Sequence, residues 1–328
     1  MHIPQPSIVI QLNQNNIEDA IPSLLQKYGG SWDGEKLEIS HKDFSIQSVV
    51  YKKLEWLHCV ISKMHFNEDV VFKELKNEKE KLFIIRFVMQ GHLWQKGEEL
   101  NSIGLNQTNG ACMYSSKNPL DIIYPKGQTV RLISMRIRVE DWDKYTNDQF
   151  PELQQFLNNP KPWMLYETMN LQMQDDFQKL FDLQKIKYGR IGYSNATCLN
   201  LFTHFIVQLR KRLEEKREFG YLDVNAQTLL NMKEELMLKL KNPPEVKELS
   251  QKYHMSESKL RNNFKKAFGL PPRQFVMQQR FQEAYKRIER SNESLTSIAL
   301  ELGFTDLPYF SSRFKKEFGV TPSALREK

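Results

Sequence analysis

The sequence predicts an α+β chain: a β-barrel or sandwich with a helical segment, then an all-α domain carrying two helix-turn-helix motifs. Three observations carry that expectation. Strand patterning with regular turn signals runs from roughly Leu37 to Val139. Helical periodicity takes over after Asp141. Near the C-terminus, a stretch beginning at Met255 recurs from Phe304. The chain is therefore divided into a β domain at 1–149, a helical segment at 150–219, a linker at 220–225 and a helical domain at 226–328.

In the β domain, Leu82–Met89 (LFIIRFVM) is a run of bulky strand formers. Arg131–Val139 alternates Ile133, Met135, Ile137 and Val139 with polar neighbours. Lys96-Gly97, Asn109-Gly110, Asn118-Pro119 and Pro125-Lys126-Gly127 are turn signals at about ten-residue spacing, which suits a sandwich or small barrel. Beyond Asp141, Asp175–Ile186 keeps Phe177, Leu180, Phe181 and Leu183 on one side of a helix. Helix 195–218 then carries Leu199, Phe202, Ile206, Leu209 and Leu213, alternately three and four apart. That seam suits a dimer interface or a helix packed on its own β domain.

The repeat is the most specific signal. Phe264, Lys265, Lys266, Phe268, Gly269 and Pro272 match Phe314, Lys315, Lys316, Phe318, Gly319 and Pro322 at an offset of 50. Upstream the offset is 49, pairing Ser250 with Ala299, His254 with Gly303 and Met255 with Phe304. The second copy thus carries one extra residue in its turn. Each copy reads as helix, turn and basic helix, at 246–268 and 295–318. Two such units suit two successive major-groove segments of one duplex.

In the first unit Ser256 is the expected N-cap of a helix whose Leu260, Phe264 and Phe268 face inward. Ser258, Arg261, Asn262 and Lys265 are left facing outward as base-contact candidates. Arg forks onto guanine and Asn onto adenine, at roughly 1–3 kcal/mol of discrimination each. A solvated polar face has the same composition; the repetition favours the DNA reading. In the second unit Ser294 caps Leu295–Leu302, Gly303 permits a sharp turn, and Phe310, Phe314 and Phe318 form the buried stripe. Leu307, Pro308, Ser311, Ser312 and Lys315 face outward, a less polar surface suited to thymine methyls or backbone positioning.

Between the units, Pro272–Arg290 reads as one uninterrupted helix with apolar faces for both. Lys266, Arg273, Arg280, Lys286, Arg287, Arg290, Arg313 and Lys316 are phosphate-contact candidates as a group. Charge agrees. The chain has 47 Lys+Arg against 40 Asp+Glu, a net charge of +7. From Lys241 onward there are 17 against 10, leaving 30 of each sign before it (47 − 17 and 40 − 10). The excess lies where a polyanion wants it.

At these residues the chain resembles the AraC-type transcription regulators. The segments ELSQKYHMSESKLRNNFKKAFGLPPRQF, RFQEAYKRIERSNESLTSIALELGF and TDLPYFSSRFKKEFGVTPSALR carry the likeness, which covers Ala226 to Lys328. It implies a bihelical domain of seven helices that binds promoter DNA, commonly as an activator working with RNA polymerase. It places the groove-facing positions at Ser258, Arg261, Asn262, Leu307, Pro308, Ser311 and Ser312. Ser250 and the Leu307-Pro308 pair depart from the usual residues.

The same resemblance implies a cupin-like front domain that senses a small-molecule effector and supports a homodimer. Phe83, Arg86, Phe87, Trp94, Tyr114 and Tyr124 are the effector-site candidates, with Arg86 as an anion partner; barrel filling is the competing role. No metal or cofactor is expected, because His58, His65 and His92 lack metal-ligand spacing. No catalytic motif is visible, so the chain reads as a non-enzyme. The runner-up is a cupin-like enzyme or a DNA-repair protein fused to a DNA-binding module; a purely architectural DNA binder comes third. Cys59, Cys112 and Cys198 form no CxxC, and neither a signal peptide nor a stretch of ~20 apolar residues appears. A cytoplasmic protein is expected, away from membranes.

Overall fold

The computed structural model describes residues 8–13, 17–75, 82–90, 93–95, 103–105, 110–116, 120–146, 149–158, 164–214 and 226–327. The chain divides into two units, Met1–Leu230 and Asn231–Lys328. The first begins with β1 (Ile8–Asn13), α1 (Ile21–Tyr28), β2 (Ser31–Trp32), β3 (Lys36–Ser40), β4 (Phe44–Leu54), β5 (Leu57–Phe66) and β6 (Val70–Leu75). There follow β7 (Leu82–Gln90), β8 (Leu93–Gln95), β9 (Ile103–Leu105), β10 (Gly110–Ser115), β11 (Asp121–Tyr124) and β12 (Gln128–Arg138). It closes with α2 (Val139–Thr146), α3 (Pro151–Leu157), β13 (Met164–Thr168), α4 (Leu171–Leu183) and α5 (Arg190–Glu214).

The strands form a five-stranded sheet, β1-β6-β11-β8-β9, and an eight-stranded sheet, β13-β10-β7-β12-β5-β4-β3-β2. β7 shows how the layers meet. Its Ile84, Arg86 and Val88 alternate with Phe83, Ile85 and Phe87, and both sets are buried. Phe83, Ile85 and Phe87 join Ile133, Met135 and Ile137 of β12 in a core with Phe177 of α4 and Phe205 of α5. The opposite face of the large sheet meets the small one, where Phe66 stacks on Tyr124 at 4.7 Å and meets Phe72 edge-on at 6.1 Å. A strand covered on both faces needs a near-continuous apolar run, which LFIIRFVM supplies. Each fully buried Phe contributes roughly 1.5–3 kcal/mol relative to exposure.

Two expectations change here. The segment 150–219 is not wholly helical, because β13 pairs antiparallel with β10 and extends the large sheet. The seam residues Phe202, Ile206 and Leu209 are buried in the protomer's own core, with Leu199 packed against it. They face the sheet, so they are not a free dimer interface; the Leu213 side chain lies outside the described residues. The cysteines, distant in sequence, also converge in part: Cys59 Sγ and Cys198 Sγ lie 3.1 Å apart as buried free thiols. The linker expected at 220–225 lies outside the described residues.

From α6 (Ala226–Leu238), which crosses the boundary between the units, the chain is helical. α7 (Val246–Lys252), α8 (Glu257–Phe268), α9 (Pro272–Arg290), α10 (Leu295–Glu301), α11 (Leu307–Phe318) and α12 (Pro322–Arg326) complete it. α9 is the shared support. Phe264 and Phe268 of α8 meet Phe275 near its start, at 5.5 and 6.1 Å. Phe281, Ala284 and Ile288 farther along form a core with Phe304 and with Phe310 and Phe314 of α11.

Candidate nucleic-acid interface

The two heads are built alike from their sequences. Ser256 Oγ accepts from Lys259 N–H at 3.3 Å, and Asp306 Oδ1 accepts from Tyr309 N–H at 2.8 Å, so each second helix has a side-chain N-cap. The turns before them match as well. Met255 N–H donates to Ser250 O at 3.0 Å, and Phe304 N–H to Ala299 O at 2.9 Å. The left-handed residue of the turn is His254 (φ 52°) in one head and Gly303 (φ 83°) in the other. The extra residue of the second copy, Thr305, falls between Phe304 and the cap. Both second helices stop at a left-handed glycine, Gly269 or Gly319, whose N–H donates to Lys265 O or Lys315 O at 2.8 Å.

This framing sets which faces remain outside. On α8, Leu260, Phe264 and Phe268 point inward, while Ser258, Arg261, Asn262 and Lys265 are exposed. Glu257, one turn earlier, accepts from Arg261 Nη2 at 2.6 Å, holding the guanidinium along the helix face. On α11, Pro308, Ser312 and Lys315 are exposed and Ser311 is half-buried. Leu307 is half-buried because it packs against the second head's core. Tyr309 is 46% exposed at the start of α11, with the Arg313 guanidinium over its ring at 6.0 Å. The outward list from sequence omits this tyrosine; its place one residue before Phe310 on the i, i+4 stripe was the available signal.

The phosphate candidates separate into two groups. Lys266, Arg273, Arg290, Arg313 and Lys316 are exposed, and Lys286 in the same group is half-buried. Arg280 and Arg287 are corrections, since both are engaged inside the domain. Arg280 Nε donates to Leu240 O at 2.7 Å, Nη2 to Lys241 O at 2.9 Å and Nη1 to Gly303 O at 3.2 Å. It ties the chain after α6 to the turn of the second head, and its burial lowers its pKa. Arg287 pairs with Glu293 and with Glu301, the latter at 2.7 Å. Hydrogen bonding to Glu293 holds its charge more firmly than usual.

In the first unit, the effector candidates fall on opposite faces of the large sheet. Phe83 and Phe87 are corrections: they pack toward the helices, with Phe83 edge-on to Trp142 at 5.7 Å and Phe87 edge-on to Phe205 at 5.5 Å. Arg86, Tyr114 and Tyr124 are buried between the sheets. Tyr114 Oη donates to Glu74 Oε1 at 2.9 Å, Leu120 N–H donates to Glu74 Oε2 at 3.1 Å, and Arg86 pairs with the same carboxylate. Burial raises the Tyr124 hydroxyl to about 12 and the Cys112 thiol to about 11. The Trp94 side chain lies outside the described residues. Among the described residues no cluster of His, Cys, Asp or Glu is arranged to hold a metal ion.

The C-terminal region has relatives among known proteins. Residues 249–328 match the helix-turn-helix domain family. Over 156 residues the chain is 29% identical to the HTH-type transcriptional activator RhaS of Pectobacterium carotovorum subsp. carotovorum, covering 47% of this chain and 54% of that protein. The C-terminal domain is of the AraC type. This AraC-type domain is also 28% identical over 86 residues to the HTH-type transcriptional regulator ExsA of Pseudomonas aeruginosa, covering 26% of this chain and 31% of that one. Among solved structures, the DNA-binding domain of AdpA in complex with a target DNA aligns at 24% identity and a TM-score of 0.29, covering 30% of this chain and 90% of that one. The chain spans about half the length of RhaS, the curated relative it matches over 156 residues. No helix among the described residues is long and apolar enough to cross a membrane.

Proposed function

We propose that this chain is a sequence-specific DNA-binding transcription regulator, an activator that responds to a small-molecule effector and works as a homodimer in the cytoplasm with RNA polymerase. One observation carries the reading: two equivalent helices, α8 and α11, hold polar faces outward while their cores rest on the single helix α9. Its 19 residues at about 1.5 Å each span about 29 Å. One turn of B-DNA is about 34 Å, so the spacing suits adjacent major-groove segments on one side of a duplex.

Within the interface, we assign base contacts to Ser258, Arg261, Asn262 and Lys265, with Pro308, Ser311, Ser312 and Lys315 as their second-head counterparts. Lys266, Arg273, Arg290, Arg313 and Lys316 are the backbone contacts. A homodimer doubles the phosphate contacts and steepens the salt dependence. Its interface lies away from the Leu199–Leu209 seam, which the protomer's own sheet covers. Effector binding shifts the regulator between states only through unequal affinity for them. Genomic footprinting with and without cell metabolites tests the reading. The expected result is an enriched motif with two protected segments about one helical turn apart. Binding indifferent to sequence would replace it with an architectural role.

A further inference from the structure

The space between the two sheets of the first unit holds an unusual set of donors. A cavity of about 60 Å³ is lined by Arg86, Arg136, Ser134 and apolar side chains including Ile46, Val60 and Leu132. Arg86 is 4% exposed and Ser134 5%. Arg86 gives Nη2 to Glu74, yet its Nε and Nη1, together with Ser134 Oγ, have no hydrogen-bond partner among the described residues. Ser48 and Ser62, also on the wall, bond to each other at 2.8 Å and leave Ser134 as the hydroxyl to be met. Buried polar groups are ordinarily paired, and unpaired ones at a cavity point to a missing partner.

Charge sets the partner's sign. Arg136 lines the same cavity, and after burial the neighbouring Arg86 charge is the main influence lowering its pKa. Two guanidinium groups against the one carboxylate of Glu74, beside an apolar wall, favour an anion with an apolar part. Size sets its length. A single water needs about 10–15 Å³ of such space, so this cavity takes roughly four to six non-hydrogen atoms.

We propose that the inter-sheet cavity takes a short-chain aliphatic monocarboxylate, with its carboxylate on Arg86 and Ser134 and its tail against Ile46, Val60 and Leu132. This rests on the ligand-responsive part of the function proposed above and supplies its ligand class. No covalent step is involved. The charge-assisted hydrogen bonds would complete donors that the fold leaves unmatched.

The test is calorimetric titration of the full-length protein, without DNA, using sodium acetate, propionate and butyrate. Propionamide, sodium octanoate and sodium chloride serve as the neutral, long and inorganic controls. Saturable binding of at least one short carboxylate is expected, with all three controls failing to bind or compete. Ser134→Val should weaken that binding about tenfold, the loss of one hydrogen bond to a charged group. A second variant, the double substitution Glu74→Gln/Arg86→Met, removes the buried pair together and should abolish binding while the melting transition shows a folded chain. Absence of binding by every short carboxylate overturns the proposal, as does equal binding of octanoate, chloride or propionamide. Unchanged affinity in both variants overturns it too. Binding to the footprinted operator, measured separately, keeps the two readings apart. A protein that binds DNA but no carboxylate loses only this inference; one that binds propionate but no specific DNA loses only the regulator.

Discussion

The two helix-turn-helix heads keep the same skeleton and differ at the surface. Both have a capped second helix, the same turn hydrogen bond, a phenylalanine stripe and a left-handed glycine stop. Their outward faces have separated: Ser258, Arg261, Asn262 and Lys265 are all exposed, whereas Leu307 and Ser311 in the second head are half-buried. Packing on α9 constrains both copies alike, because a shifted phenylalanine leaves a cavity in either. Nothing in that packing constrains which polar residue stands outside. On the DNA-binding function proposed above, the first head would discriminate bases and the second would position the protein on the duplex.

The largest expected effect tests the shared skeleton. Phe264→Ala and Phe314→Ala each remove a fully buried ring and should each cost about 3–5 kcal/mol in chemical denaturation. A much smaller loss in one head would break the equivalence. The turns offer a sharper contrast. Gly303→Ala forces a side chain into a left-handed backbone and drives its Cβ into the Lys241 carbonyl, a loss of about 1–3 kcal/mol. His254→Gly at the equivalent turn should leave stability unchanged or raise it by up to about 1 kcal/mol. Equal losses at both sites would mean that His254 makes a contact its partner lacks.

Cations separate next. Arg287→Met should lower stability by about 1 kcal/mol with no change in the salt dependence of DNA binding, because Glu293 and Glu301 already hold the guanidinium. Lys316→Ala should reduce the salt slope by about 1 and leave stability alone. A salt slope altered by Arg287→Met would return that residue to the phosphate contacts. The smallest effect is a pH dependence. Burial alone would raise the Glu235 pKa, but hydrogen bonds from Lys252 and Lys239 outweigh it and the value is lowered. Such a carboxylate stabilises the fold above its unfolded value of about 4.3, and that contribution disappears as pH falls through the lower folded value. Lys252 and the Tyr253 hydroxyl, which also reaches Glu235 at 3.3 Å, belong to the first head. Glu235→Gln should therefore flatten the acid limb of a denaturation profile, and an unchanged limb would show that the pair contributes nothing there.

Legibility followed periodicity. The repeat pinned the helix register so firmly that α9 begins at Pro272 and ends at Arg290, as its apolar faces and the Pro271-Pro272 pair at its start predict. Ser256 and Ser294 cap helices as their positions suggest. The front domain was harder to read for physical reasons. β7 is apolar on both faces, so its sequence does not tell that Phe83 and Phe87 face helices while Arg86 faces the cavity. An a/d seam looks the same whether its partner is another helix or a sheet, and α5 uses it against the sheet. Arg280 and Arg287 resemble surface cations until the carbonyls and carboxylates around them are placed in space. β13 lies in a segment whose neighbours are helical, and only its partner β10 makes it a strand.

The division of labour between the heads is tested most directly by measuring affinity for every single-base substitution of a footprinted site, with the unaltered protein and with Arg261→Ala. Selective loss of preference at one base pair, with the others unchanged and the salt slope preserved, is the predicted result. Uniform weakening across all sequences would make Arg261 a phosphate contact and contradict the account.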